Sequence, residues 1–150
     1  MRFEAGNVST LVTATVGAPL VAIRAPASER GALRELGVSL LAATSTRLGL
    51  ARATTVSATP GTTIAGQAKN PLSPASATLL VSSWATPPTI PANFMRRITL
   101  PAAIGAGFIW TWPADDPLYI GNGVAIGELV LANLVAVAPS LFDYYAIWED

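Results

Sequence analysis

Apolar and polar positions alternate with a period of two along most of this chain, and sustained helical periodicity is scarce, so the pattern predicts strands from end to end. Val8 to Val16 reads V-S-T-L-V-T-A-T-V, dense in β-branched residues, and stops at Gly17-Ala18-Pro19. Leu20 to Ala25 follows as a strand closed by Pro26, and Ala32 to Ala42 alternates over a longer stretch with Gly37 as a candidate bulge. The alternative for that stretch is a helix from Ser28 to Leu41, capped by Ser28 and weakened by Gly31 and Gly37.

Thr46 to Arg52 predicts a further strand, and Thr54 to Pro74 is a long surface loop rich in Thr, Pro and Gly. Strands are then expected at Ala77 to Trp84, Phe94 to Leu100, Gly107 to Trp112, Leu118 to Ile120, Val124 to Leu131 and Leu141 to Trp148. Within Gly107 to Trp112 the period puts Phe108, Trp110 and Trp112 on one side and Ile109 and Thr111 on the other. Many short strands without crossover helices predict an all-β chain: an antiparallel β-sandwich, jelly-roll-like, in one domain over residues 21–150. Residues 1–20 are expected to add an N-terminal strand or an attachment arm.

Composition narrows the chemistry. Of 150 residues 51% are apolar and 12% charged, about half the usual charge, so apolar surface should remain for copies of the chain or a partner to cover. The absence of His and Cys removes imidazole bases, thiolate nucleophiles and zinc sites made from those ligands. Net charge is zero, which gives no general attraction to nucleic acid. Its distribution is lopsided: residues 1–97 hold nine bases and three acids, whereas residues 98–150 hold six acids and no base. Either the two halves pair their charges within one fold, or a positive face meets a negative face between subunits. Met1 to Val16 lacks the pattern of a secretory signal, and the uncharged run Asn70 to Met95 is broken by five prolines, so no membrane span is expected.

Candidate motifs are weak. Gly61 to Gly66 has the glycine gap of a phosphate loop but Gln67 where Lys is needed, and Gly121, Gly123 and Gly127 miss the dinucleotide spacing. Asp115-Asp116 and Glu149-Asp150 are paired carboxylates, yet neighbours in extended chain point to opposite faces and do not converge on one substrate. Weak calcium binding or a carboxylate hydrolase at Asp115-Asp116 is the minor alternative, and Asn7-Val8-Ser9 matches a glycosylation acceptor. No cofactor is expected. Arg34, Glu35, Arg96, Arg97 and Glu149 are the candidates for structural ion pairs, with Arg34-Glu35 and Glu149 the natural partners of Arg96-Arg97. Trp110, Trp112, Tyr144 and Tyr145 are the candidate interface aromatics, because Tyr144 and Tyr145 cannot both enter one core.

Arg34-Glu35-Leu36-Gly37-Val38, Leu48-Gly49-Leu50-Ala51-Arg52, Trp84-Ala85-Thr86-Pro87-Pro88, the run from Arg96 to Trp110 and the closing Tyr145-Ala146-Ile147-Trp148-Glu149 together carry a resemblance. Over residues 30–150 the chain resembles the capsid decoration, or cement, proteins of tailed bacteriophages. The resemblance implies a non-enzymatic virion protein, made in the host cytoplasm, that binds the outside of the head and braces neighbouring subunits of the major capsid protein. It also implies a homo-oligomer, with a trimer the leading expectation, and no direct contact with nucleic acid or membrane. The alternative is a carbohydrate- or receptor-binding module of a tail or fibre that uses Trp110, Trp112 and Tyr145 as stacking platforms.

Overall fold

The computed structural model describes residues 1–10, 13–26, 30–55, 59–121 and 128–150, and every regular element within them is a strand. In chain order these are β1 (Arg2–Val8), β2 (Pro19–Arg24), β3 (Gly31–Leu40), β4 (Thr46–Arg52), β5 (Thr59–Pro60), β6 (Thr63–Ala65) and β7 (Gln67–Ala68). They continue as β8 (Leu79–Val81), β9 (Trp84–Thr86), β10 (Arg96–Leu100), β11 (Gly107–Thr111), β12 (Leu118–Ile120), β13 (Leu129–Asn133) and β14 (Phe142–Glu149). Twelve of these strands form two packed antiparallel sheets, a β-sandwich, and β5 and β9 pair as a separate two-stranded sheet. One sheet runs β11-β3-β14-β1-β7, with β12 also on β3; the other runs β10-β4-β13-β2-β8-β6.

Alternation decides which side chains enter the space between the sheets. Along β14, Phe142, Tyr144, Ala146 and Trp148 point inward, and their partners Leu33, Leu36, Val38 and Leu40 do the same on β3. Leu48 and Leu50 of β4, Leu129 and Leu131 of β13 and Val21 and Ile23 of β2 close the core from the opposite sheet. A second, smaller cluster lies on the outside of that opposite sheet, where Ala22, Ala53, Val81 and Val130 are covered by Trp84 and Ile90. Phe94 extends this roof over Gly49. Trp84, Ile90 and Phe94 thus cover part of one outer sheet face, while among the described residues the outer face of the β3–β14 sheet carries no such layer.

Several expectations are corrected. The first strand is Arg2–Val8, and Ser9, Thr10 and Thr13 to Val16 are not strand. β1 pairs with β14 along its whole length and buries Phe3, so residues 2–8 belong to the sandwich and are not a free arm. The stretch Thr54 to Pro74 is not only loop: it contains β5, β6 and β7, with β6 adding to β8 and β7 to β1. The run Ala77 to Trp84 splits into β8 and β9, which lie in different sheets. Gly31 to Leu40 is strand and excludes the helical alternative there; its proposed cap Ser28, and residues 124–127 of the expected strand Val124 to Leu131, lie outside the described residues.

Candidate functional site

The uncovered outer face of the β3–β14 sheet is built by the same alternation that fills the core. Register places Ile109 of β11, Gly37 of β3, Tyr145 of β14 and Gly6 of β1 in one row across the sheet. The next row is Gly107, Ser39, Asp143 and Val8. Three of these eight positions are glycine, so the face sinks into a trough of about 730 Å³ bounded by Ile109, Val8, Asp143 and the Tyr145 ring. A second hollow of about 320 Å³, lined by Glu4, Gly6, Gln67 and the other side of Tyr145, adjoins it.

Tyr145 is held flat. Its ring lies so close over Gly37 that a Cβ there would overlap ring atom Cε1, and its hydroxyl donates to Oε1 of Glu35 at 2.6 Å. The hydrogen bond to Glu35, followed by burial and the charge of Glu35, pushes the phenol up to about 12. Because the folded value exceeds the ordinary value near 10, this bond stabilises the fold fully below pH 10 and is lost as pH rises through 12. Denaturant midpoints measured from about pH 9 to about pH 12 should fall by an alkaline component worth at most about 1 kcal/mol after solvent screening. Tyr145→Phe should remove that component and leave any other alkaline loss in place; equal slopes in the two proteins would contradict the assignment.

A bulge aims the neighbouring cation. The β3–β14 register shifts between Ile147 and Trp148, leaving Arg34 as the extra residue, and bulges redirect side chains in this way. Arg34 donates from Nε to Glu149 Oε2 at 3.0 Å, also through Nη2, and from Nη1 to the Pro113 carbonyl at 2.9 Å. Arg2 takes the other oxygen of Glu149 at 3.2 Å. Hydrogen bonds from Arg34 lower the Glu149 pKa against the opposing effect of burial, and the charges of Arg34 and Arg2 add to the lowering. Both bridges join a base of the first part of the chain to an acid of the last part, so interleaving within the fold uses some of the lopsided charge.

The expected partnership of Arg96 and Arg97 with Glu35 and Glu149 does not form. Those acids lie in the β3–β14 sheet and are taken by Tyr145, Arg34 and Arg2, whereas β10 edges the opposite sheet. Arg96 instead lies over the Trp112 ring, 4.6 Å from its centroid, and Arg97 is exposed. The aromatic set divides as well. Tyr144 is buried in the core, where burial pushes its phenol up while the nearby Ser82 hydroxyl acts in the other direction; neither hydroxyl reaches a partner at hydrogen-bond geometry. Trp110 packs beside Phe108 at 4.2 Å between centroids, and both rest half-buried against the core with Trp112. Of the four, Tyr145 alone presents a ring to the trough.

A different feature gathers at one end of the sandwich. The links β1–β2, β3–β4, β10–β11 and β13–β14 all leave the sheets there, and they carry Val16, Leu41, Ile104, Val137 and Leu141, all exposed, with Ile104 74% accessible. Asn133 ties two of these links by donating from Nδ2 to the carbonyls of Thr13, Val135 and Val137 at 3.0, 2.8 and 3.0 Å. Ser140, on the β13–β14 link, ties in a third, β3–β4: its Oγ accepts from Ala42 N at 3.1 Å, and its own N–H donates to Thr46 Oγ1, at the start of β4, at 2.9 Å.

No family model matches this chain, and no curated protein matches it.

Sequence reasoning missed the trough, Asp143, the Arg2 arm of the Glu149 bridge and the apolar end. The alternation in Phe142 to Glu149 signalled that Asp143 and Tyr145 share a face, but only the pairing with β1, from the far end of the chain, shows that Gly6 and Val8 flank them. Asp115 and Asp116 are exposed in the turn before β12, as expected of turn residues. Among the described residues no group of three or more Asp or Glu is placed to hold a metal ion. No described helix is long and apolar enough to cross a membrane.

Proposed function

We propose that this protein is a non-enzymatic virion structural protein that decorates or cements the outside of a tailed-phage capsid as a homo-oligomer, with a trimer the expected state. The observation that carries the reading is the apolar end: five exposed aliphatic side chains, on four links of which Asn133 and Ser140 brace three, form a prebuilt contact surface with few charges. The strand order supports a jelly-roll interpretation. Taking the eight strands other than the short β5–β9 group and β12 in chain order, first, last, third and sixth are adjacent in one sheet; second, seventh, fourth and fifth are adjacent in the other. Jelly rolls occur in viral shells and also in lectins, so this support is an analogy of fold and the contact surface carries the weight.

The test adds purified protein to capsids lacking it and follows cosedimentation, negative-stain images and heat-induced genome release. Bound density and a higher release temperature are expected, and Leu41→Asp combined with Ile104→Asp should abolish both while leaving the monomer folded. Sedimentation should give a mass above that of one chain for the parent protein and a single chain for the double variant. A parent protein that stays monomeric at high concentration and never cosediments with capsids would overturn the proposal.

A further inference from the structure

We infer that the trough beside Tyr145 is a binding site for a neutral oligosaccharide. Three observations select that ligand class. First, Tyr145 offers a fixed aromatic face: Gly37 lets the ring lie flat and Glu35 anchors its hydroxyl, so little rotamer freedom is left to lose on binding. A pyranose ring has an apolar C–H face that stacks on such a platform and a rim of hydroxyls that does not.

Second, the polar groups around the ring are of the kinds that hold sugar hydroxyls. Asp143 and Ser39 stand in the row beside it on one side, and Glu4 and Gln67 line the hollow on the other. Carboxylates accept strongly from hydroxyl groups, and amides both donate and accept. Third, no Lys or Arg lines either hollow among the described residues, while two carboxylates do, Asp143 in one and Glu4, paired with Lys69 at 3.5 Å, in the other. That charge pattern disfavours phosphates, nucleic acid and acidic sugars.

An extended peptide fits less well. A peptide laid across the floor of the trough meets backbone groups of β3, β14 and β1 that are already paired with one another, and only along the rim, at the edge strand β11, could a backbone add. The two hollows meet at Tyr145 and Gly6, which places a linear ligand across the tyrosine with sugar units on both sides.

Saturation-transfer NMR and amide-shift titration of the isolated protein with cellotriose, maltotriose, chitotriose and mannotriose test the site without any capsid, so the result is independent of the assembly proposal. At least one trisaccharide should shift the amides of Gly6, Gly37 and Tyr145, with 3′-sialyllactose weaker than its neutral counterpart lactose. Tyr145→Ala should weaken binding about tenfold, and Gly37→Ala should do so without removing the tyrosine, by displacing its ring. Tyr145→Phe, which keeps the platform, should bind within about threefold of the parent. The inference fails if none of the four trisaccharides binds the folded protein, if shifts map away from the trough, or if Tyr145→Ala binds as well as the parent. It fails equally if Tyr145→Ala converts an oligomer to a single chain, which would identify the trough as a contact between copies.

Discussion

Replacing Trp148 by Ala is expected to remove about 3–5 kcal/mol of folding stability, a large part of the roughly 5–15 kcal/mol typical of a domain. Trp148 is fully buried on β14, its ring is stacked with Phe3 at 6.4 Å between centroids, and its indole N–H donates to Ser76 Oγ at 2.9 Å. Ser76 Oγ in turn donates to the Asp150 carboxylate, which also accepts from Thr78 Oγ1 at 2.7 Å. One truncation therefore opens a cavity and also loosens the polar chain that ties the segment before β8 to the end of β14. Trp148→Phe separates the two effects, since it retains most of the burial and loses the donor; a cost of about 1–2 kcal/mol is expected. Gly66 reports on the same packing, because a Cβ there would overlap Cζ2 of the indole. Chemical denaturation with near-ultraviolet circular dichroism checks both variants. A Trp148→Ala midpoint implying a loss below about 1 kcal/mol would refute the central place given to this side chain.

Propensity and local period made part of the sandwich legible. Thr46 to Arg52 and Leu118 to Ile120 are strands with the bounds read from sequence, the second because Pro117 and Gly121 bracket it. The sidedness of Gly107 to Trp112 also holds: Phe108, Trp110 and Trp112 are half-buried while Ile109 is 62% exposed. The opposite outcome befell the N-terminus. Val8 to Val16 has the better β-propensity, but the strand is Arg2–Val8, whose sequence R-F-E-A-G-N-V is modest by that measure. What selects it is β14: Phe3 pairs with Trp148 and enters the core, and Arg2 and Glu4 reach Glu149 and Lys69 on the outer face. A partner more than a hundred residues away overrides local preference, and a scan along the chain does not contain it.

The candidate site divides along the same line. Glu149 and Arg34 were visible as partners for some opposite charge, but their mutual bond depends on a one-residue bulge that turns Arg34 toward β14. The contrast between Tyr144 and Tyr145 was visible as a conflict within one strand, and the direction of each was not, since it follows from which face of β14 the second sheet covers. Arg96 had nearby acids in the expectation and an aromatic ring in the structure: the short link from β10 to β11 brings the two sheet edges together, and with them Arg96 and Trp112.

Two glycines near that link separate two mechanisms of strain. Gly107→Ala is expected to cost about 1–3 kcal/mol, because β11 approaches β3 so closely that the new Cβ would overlap the Val38 carbonyl oxygen and sit 3.1 Å from Ser39 Cα. These are backbone atoms, so relief requires part of the β11–β3 ladder to separate, and every larger residue at this position should be as bad or worse. Gly105→Ala meets nothing within 4 Å, but Gly105 has φ of +79°, where a Cβ clashes with its own backbone. Its cost should be near 1 kcal/mol, and Gly105→Asn should recover part of it because Asn tolerates the left-handed region. Asn at 107 should recover nothing. Hydrogen exchange adds a spatial readout: Gly107→Ala should deprotect amides of β11 that pair with β3, whereas Gly105→Ala should affect the turn on the β10–β11 link, where Gly105 N donates to the Leu40 carbonyl at 2.8 Å. If Asn rescued both positions equally, or if Gly105→Ala proved the costlier change, close strand approach would not be the reason position 107 is glycine.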